Sequence, residues 1–235
     1  MQIEPEEPLA GVRTKIVATV GPASRDPIML ARLLAAGVDV FRLNFSHGSH
    51  EEHSSTLADI RRVASERNRA VGVLMDLGGP KIRLGELPNG VISCEIGEVY
   101  TLTRNPLGFD RELTSSYADL PEDLAVGDTV LFADGTVGME VVERAPGLAK
   151  LRVYLPGLIR SRQGINVPGS GLSLSALTEK DLADLDWAAK NPVEFIALSF
   201  VRSGADLARL RQELQQRQIR AQIVAKIEKP QAVED

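Results

Sequence analysis

Between Arg13 and Met75 the apolar positions switch repeatedly between a period of two and a period near 3.6. Thr14-Lys15-Ile16-Val17-Ala18-Thr19-Val20 is a β-branched run that stops at Gly21-Pro22, which predicts a strand closed by a turn. Asp26-Pro27 supplies a capping side chain and a proline for a helix start. Leu30, Leu33 and Leu34 share one face of that helix, and Gly37 can end it. A second strand, Val38-Asp39-Val40-Phe41, precedes Ser49 and Glu52. These two are spaced as a capping box for a helix whose Leu57, Ile60 and Ala64 line up. Ala70 to Met75 is a third strand. Such alternation predicts parallel strands joined by right-handed helical crossovers.

The texture changes between about Gly85 and Gly164. Short β-like runs appear at Val91–Cys94, Val99–Leu102, Thr129–Phe132 and Leu151–Tyr154, separated by the turn pairs Asn89-Gly90, Asp134-Gly135 and Pro146-Gly147. That spacing predicts a small all-β unit. It is an insertion, because strand–helix alternation then resumes. Thr178 with Asp181 caps a helix carrying Leu182 and Leu185, and a strand follows from Val193 to Leu198. Ser203 with Asp206 caps another helix, with Leu207, Leu210 and Leu214 on one side, before the run Ala221–Ala225. The expected organisation is an extension over 1–12, a first barrel segment over 13–85, an inserted β-barrel-like lid domain over 86–164, and a second barrel segment over 165–235.

The fold class expected is α/β, a (β/α)8-type barrel incomplete at about five strands, with a small all-β domain inserted after the third. Eight strands close such a barrel, and five do not. Periodicity alone leaves an open five-stranded sheet as the alternative. Polar groups stand where strands end. Arg42, Asn44, Ser46 and His47 follow the second strand, Asp76 the third, Ser199 and Arg202 the fourth, and Lys226 and Glu228 the fifth. Strand ends are where a β/α barrel builds its active face. Lys226 and Glu228, two apart, point to the same side. A cation beside a possible metal ligand suits phosphoryl transfer. A surface ion pair is the plainer alternative for the same spacing.

A net charge of -5 over 235 residues argues against a general nucleic-acid or anionic-membrane binder. The single cysteine, Cys94, excludes an internal disulfide and a cysteine-based metal cluster. The acidic start Met1-Gln2-Ile3-Glu4-Pro5-Glu6-Glu7-Pro8 lacks the basic and apolar regions of a signal peptide, so a cytoplasmic protein is expected. His47, His50 and His53 recur at helical spacing, which suits either metal binding or a solvated helix start. The solvated start is favoured, because no further histidine completes a cage.

Thr14 to Ser24, Arg42-Leu43-Asn44-Phe45-Ser46-His47-Gly48 and Asp76-Leu77-Gly78-Gly79-Pro80-Lys81-Ile82-Arg83 resemble, in order, the opening of the pyruvate kinase family. Gly164-Ile165-Asn166-Val167-Pro168-Gly169, Leu177-Thr178-Glu179-Lys180-Asp181, Ser199-Phe200-Val201-Arg202 and Lys226-Ile227-Glu228 continue the family order. The resemblance implies a β/α barrel with a β domain inserted after its third strand. It implies transfer of a phosphoryl group from phosphoenolpyruvate to ADP, with Mg2+ or Mn2+ as cofactor and ADP/ATP as nucleotide partner. By the same resemblance Lys226 and Arg42 contact the transferring phosphoryl group, and Glu228 holds the divalent metal. Asn44, Ser46, Asp76 and the carbonyl of Leu77 match a monovalent-cation site. Arg83, His47 and Asn44 match positions in the phosphate and nucleotide region. The implied assembly is a homo-oligomer, a tetramer in the family.

Three departures stand out. Lys81 occupies a position where many members carry Glu, and in the family that goes with independence from K+. Gln163 replaces a lysine that reaches the nucleotide phosphates, with Arg160 and Arg162 as candidate substitutes. Ala133 replaces the first half of an acidic pair of which Asp134 is the second. The family's second metal carboxylate and its proton-donating threonine have no counterpart in these residues. A fragment whose full activity needs further residues is the favoured reading. A naturally short, non-catalytic nucleotide-binding or partner-completed protein is the other.

Overall fold

The computed structural model describes residues 13–108, 110–168, 174–228 and 230–235, with the side chain of Pro230 left aside. The expected extension over 1–12 and the motif residue Gly169 lie outside the described residues. Contacts divide the chain into two units. One comprises the residues up to Pro80 together with Ser175–Glu228 and Ala232–Asp235; the other is centred on Lys81–Leu174.

The first unit begins β1 (Ile16–Val20), α1 (Pro27–Ala35), β2 (Val38–Asn44), α2 (His50–Glu66) and β3 (Gly72–Asp76). The insertion then runs β4 (Val91–Cys94), β5 (Val99–Thr103), β6 (Glu112–Leu113), α3 (Leu120–Asp123), β7 (Thr129–Phe132), β8 (Val137–Ala145), β9 (Leu148–Leu155), β10 (Gly157–Arg160) and β11 (Ile165–Asn166). The first unit resumes with α4 (Glu179–Ala188), β12 (Phe195–Leu198), α5 (Gly204–Gln216), β13 (Gln222–Ala225) and α6 (Pro230–Glu234).

All pairings in the first unit's sheet are parallel, in the order β1-β2-β3-β12-β13. Strand order therefore follows chain order without the reversal of a doubly wound sheet. One apolar core explains this winding. Phe41, Leu43, Val73, Met75, Ile196 and Leu198 from the strands pack with Leu30 and Leu34 of α1, Ile60 of α2, Leu185 of α4 and Leu210 of α5. The helices thus cover a single sheet face, as in a β/α barrel. Alternation leaves Arg42, Asn44 and Asp76 on the other face. The edge strands are more open, with Ile16, Val17 and Val224 among the exposed apolar residues.

Capping follows the sequence closely. Asp26 accepts the Ile28 N–H, and complete capping boxes form at Ser49/Glu52, Thr178/Asp181 and Ser203/Asp206. Gly37, at φ +100, ends α1 as expected.

The second unit is built on a six-stranded sheet, β11-β7-β8-β9-β5-β6, and a β10-β4 pair. Its own core includes Tyr100, Leu102, Phe132, Val137, Met139, Val141, Leu151 and Ile159. The turn between β7 and β8 holds Ala133 at φ 52 and Asp134 at φ 55. Asp tolerates the left-handed region, whereas Ala pays a Cβ clash there. Ala133→Gly is expected to stabilise the chain by about 0.5–1 kcal/mol, the relief of strain exceeding glycine's unfolded-state entropy. A urea midpoint that falls instead would contradict this.

Candidate active site

Parallel register sets one polar side chain at the carboxyl end of each of the five strands. Thr19 of β1 is aligned with Arg42 of β2. Asp76 of β3 lies across from Asn44 on one side and Ala197 on the other. Ser199 and Lys226 come directly after β12 and β13, whose last residues, Leu198 and Ala225, are partners.

These five side chains form a continuous hydrogen-bonded row. Arg42 Nη1 donates to Thr19 Oγ1 at 2.8 Å. Arg42 Nε and Nη2 both reach Asp76 Oδ2, at 2.7 and 2.5 Å. Lys226 Nζ lies 3.3 and 3.4 Å from the two Asp76 oxygens and donates to Ser199 Oγ at 2.8 Å. Ser199 Oγ donates in turn to the Leu77 carbonyl at 2.8 Å. Beyond Lys226, Glu228 Oε1 is 3.5 Å from the ammonium, and Glu228 Oε2 accepts the Phe200 N–H at 2.9 Å.

Burial gives the row its chemistry. Asp76 is only 3% exposed, while the Arg42 and Lys226 side chains are 28% and 30% exposed. A buried carboxylate therefore fixes two cations whose heads still reach solvent. Two such heads held together are suited to an anion rich in oxygens, above all a phosphoryl group. Glu228 offers a hard oxygen of the kind Mg2+ prefers. Among the described residues no cluster of three or more His, Cys, Asp or Glu converges. The residues thus fit an ion that keeps several waters or substrate oxygens, and Glu228 would hold it.

The other expected positions fall into place unevenly. Ser46 donates its N–H to Asn44 Oδ1 at 3.1 Å, and its hydroxyl sits by Gly78. Asn44, Ser46, Asp76 and Leu77 therefore gather on the adjoining ends of β2 and β3. His47 is exposed, and its carbonyl pairs with His53 Nε2 at 2.9 Å. Lys81 and Arg83 belong to the second unit, where Arg83 donates to the Arg162 carbonyl at 3.2 Å. Arg162 is committed to Glu86 at 2.6 Å, and the Gln163 side chain accepts the Arg160 N–H. Thr19 has no role in the sequence reading, and Ser199 and Phe200 enter it only as a strand-end group and as part of the run Ser199-Phe200-Val201-Arg202. Their signal was present: Thr19 shares its parity with Val17, and Ser199 sits at the strand end.

The solvated helix start expected for the histidines is met in part: His47 is exposed and the His50 side chain is 41% exposed, while His50 and His53 also have fixed partners. His50 Nε2 is 2.7 Å from Asp184 Oδ1, and Lys180 Nζ bridges Asp184 Oδ2 and the Phe45 carbonyl, each at 2.7 Å. His53 stacks on Phe45 with ring centres 4.0 Å apart, and burial holds its imidazole below the ordinary range. Spacing could not show the carboxylate partner, because Asp184 on α4 lies 134 residues away from His50. The cluster ties the loop after β2 to α4. The loop after β3 is tied similarly. Asp181, fully buried, takes the Gly79 N–H at 3.1 Å and both donors of Thr178. Asp181→Asn turns an acceptor into a donor at this site and is expected to cost about 1–2 kcal/mol, readable in urea unfolding.

A singly wound parallel sheet with helices on one face and a charged row at its strand ends defines a barrel-type α/β protein. The family model for the pyruvate kinase barrel domain matches residues 12–235. A pyruvate kinase from Corynebacterium glutamicum is 41% identical over 222 residues, covering 94% of this chain and 47% of the relative. One from Geobacillus stearothermophilus is 38% identical, covering 94% of this chain and 38% of the relative. A crystal structure of a pyruvate kinase from Cryptosporidium parvum superposes with a TM-score of 0.87 at 36% identity, covering 93% of this chain and 46% of that one. The chain belongs to the pyruvate kinase family. It spans about half the length, or less, of these relatives.

Proposed function

We propose that the chain carries the phosphoryl-binding part of a pyruvate kinase centre, acting on phosphoenolpyruvate and ADP as a cytoplasmic glycolytic transferase. The observation that carries this reading is the sharing of Asp76 by Arg42 and Lys226 at the strand ends. Arg42 holds the phosphoryl group with a planar donor fork anchored on Thr19 and Asp76. Lys226, supported by Ser199, neutralises the charge that spreads over the phosphoryl oxygens during transfer. Glu228 would hold Mg2+ or Mn2+, which when bound supplies further neutralisation of those oxygens. In the second unit Arg83 is proposed for the nucleotide phosphates, with Arg160 the candidate replacement for the lysine absent at Gln163. A homo-oligomer is the proposed assembly.

The direct test is pyruvate formation by the purified chain from phosphoenolpyruvate and ADP with Mg2+. Metal-dependent binding of phosphoenolpyruvate is expected, with turnover well below that of a chain that also carries the second metal carboxylate and the proton-donating threonine. Folded chain that forms no pyruvate and binds no phosphoenolpyruvate would overturn the proposal.

Lys81 bears on the monovalent cation. In the family a lysine at the position of Lys81 goes with independence from K+, a tethered ammonium replacing a bound ion without the entropy cost of capturing one. Turnover is therefore expected to be the same in K+ and Na+. A several-fold stimulation by K+ would contradict it.

A further inference from the structure

The segment that leaves β12 does more than end a strand. Ser199 is 3% exposed, and its hydroxyl is the nearest partner of the Lys226 ammonium, at 2.8 Å against 3.3 and 3.4 Å for the Asp76 oxygens. The same hydroxyl donates to the Leu77 carbonyl. One oxygen thereby fixes both the ammonium and the turn after Asp76. The next residue, Phe200, sits at φ 56, a conformation rare for a bulky side chain. That turn aims its N–H at Glu228 Oε2, at 2.9 Å. Gly79, itself at φ +63, makes room for it. A Cβ there would stand 3.0 Å from the Phe200 ring and 3.2 Å from the Ser199 Cβ. Backbone strain of this kind persists where the surroundings hold it in place, and it gathers at working sites.

We infer that Ser199 and Phe200 are positioning residues that set, from one strained turn, the places of the Lys226 ammonium and the Glu228 carboxylate. The inference rests on the proposed roles of Lys226 and Glu228 and adds the device that fixes their spacing. Ser199 acts through its hydroxyl, as acceptor for Lys226 and donor to Leu77. Phe200 acts through its main chain, so its turn matters more than its ring.

Two readouts test this without requiring turnover. The first is acylation of Lys226 at fixed pH, measured by mass spectrometry against the exposed Lys15 of the same chain. Ser199→Ala is expected to raise the relative rate about fivefold, the worth of one hydrogen bond. Ser199→Thr, which keeps a hydroxyl, is expected to restore it. A folded Ser199→Ala chain with Lys226 reactivity unchanged would overturn the inference. The second readout covers a Ser199→Ala chain that does not fold. Exchange of the Phe200 amide hydrogen is expected to be slow in the wild-type chain and fast in Glu228→Ala. Exchange in the wild type at the rate of an open peptide would overturn it as well. Should both readouts hold in a chain that makes no pyruvate, the failure would fall on the functional proposal and not on the positioning.

Discussion

Exchange of Lys226 for methionine is expected to lower pyruvate formation from phosphoenolpyruvate and ADP by about a hundredfold or more, the usual loss when one preorganised donor to the transition state is removed. Methionine fills similar space without charge. Arg42 keeps its two bonds to Asp76 Oδ2, so the buried carboxylate retains a cation. Stability should therefore change little, and the loss should appear in kcat. Phosphoryl transfer asks little covalent chemistry of the protein and much neutralisation of spreading charge. A variant turning over within a few-fold of the wild type would remove Lys226 from the mechanism.

Asp76→Ala acts on the fold instead. It leaves Arg42, Lys226 and Ser199 facing a hole in which two cations no longer share a counter-charge. Removing one partner from a buried ion pair costs about 3–5 kcal/mol. Both cations are about 30% exposed here and can turn partly to water, so the low end, about 3 kcal/mol, is expected. Urea unfolding would read it. Asp76→Asn keeps an acceptor and should lose less. A loss for Asp76→Ala well under about 1 kcal/mol would mean that the row behaves as a surface pair.

Much of this architecture could be read from local signals. Capping at Ser49/Glu52 and Thr178/Asp181 needs only residues three apart, and the helical faces of Leu30/Leu34 and Leu210/Leu214 follow from spacing. β8 was missed although Val137, Met139 and Val141 alternate and are all fully buried. A glycine, a glutamate and a register shift near Val141/Glu143 blur its pattern. At the site, Lys226, Glu228, Arg42 and Asp76 announced themselves as charges at strand ends. Ser199 stands among them without a role, and Thr19 not at all, because a hydroxyl at a strand end does not reveal what it binds until its partners are known. Lys226 meets Asp76 across 150 residues of chain, and only the parallel register brings them together. His50 illustrates the same limit. Its neighbours in sequence suggested solvent, and the structure adds a carboxylate partner from a distant helix while leaving the side chain 41% exposed.

The central claim is that the Arg42–Asp76–Lys226 row receives a phosphoryl group beside a metal held by Glu228. A crystal structure of this chain with phosphoenolpyruvate and Mn2+ tests that directly. Phosphoryl density is expected against Arg42 and Lys226, with a Mn2+ anomalous peak at Glu228. Ligand and metal seated elsewhere, with the row left bare at saturating concentrations, would contradict the account.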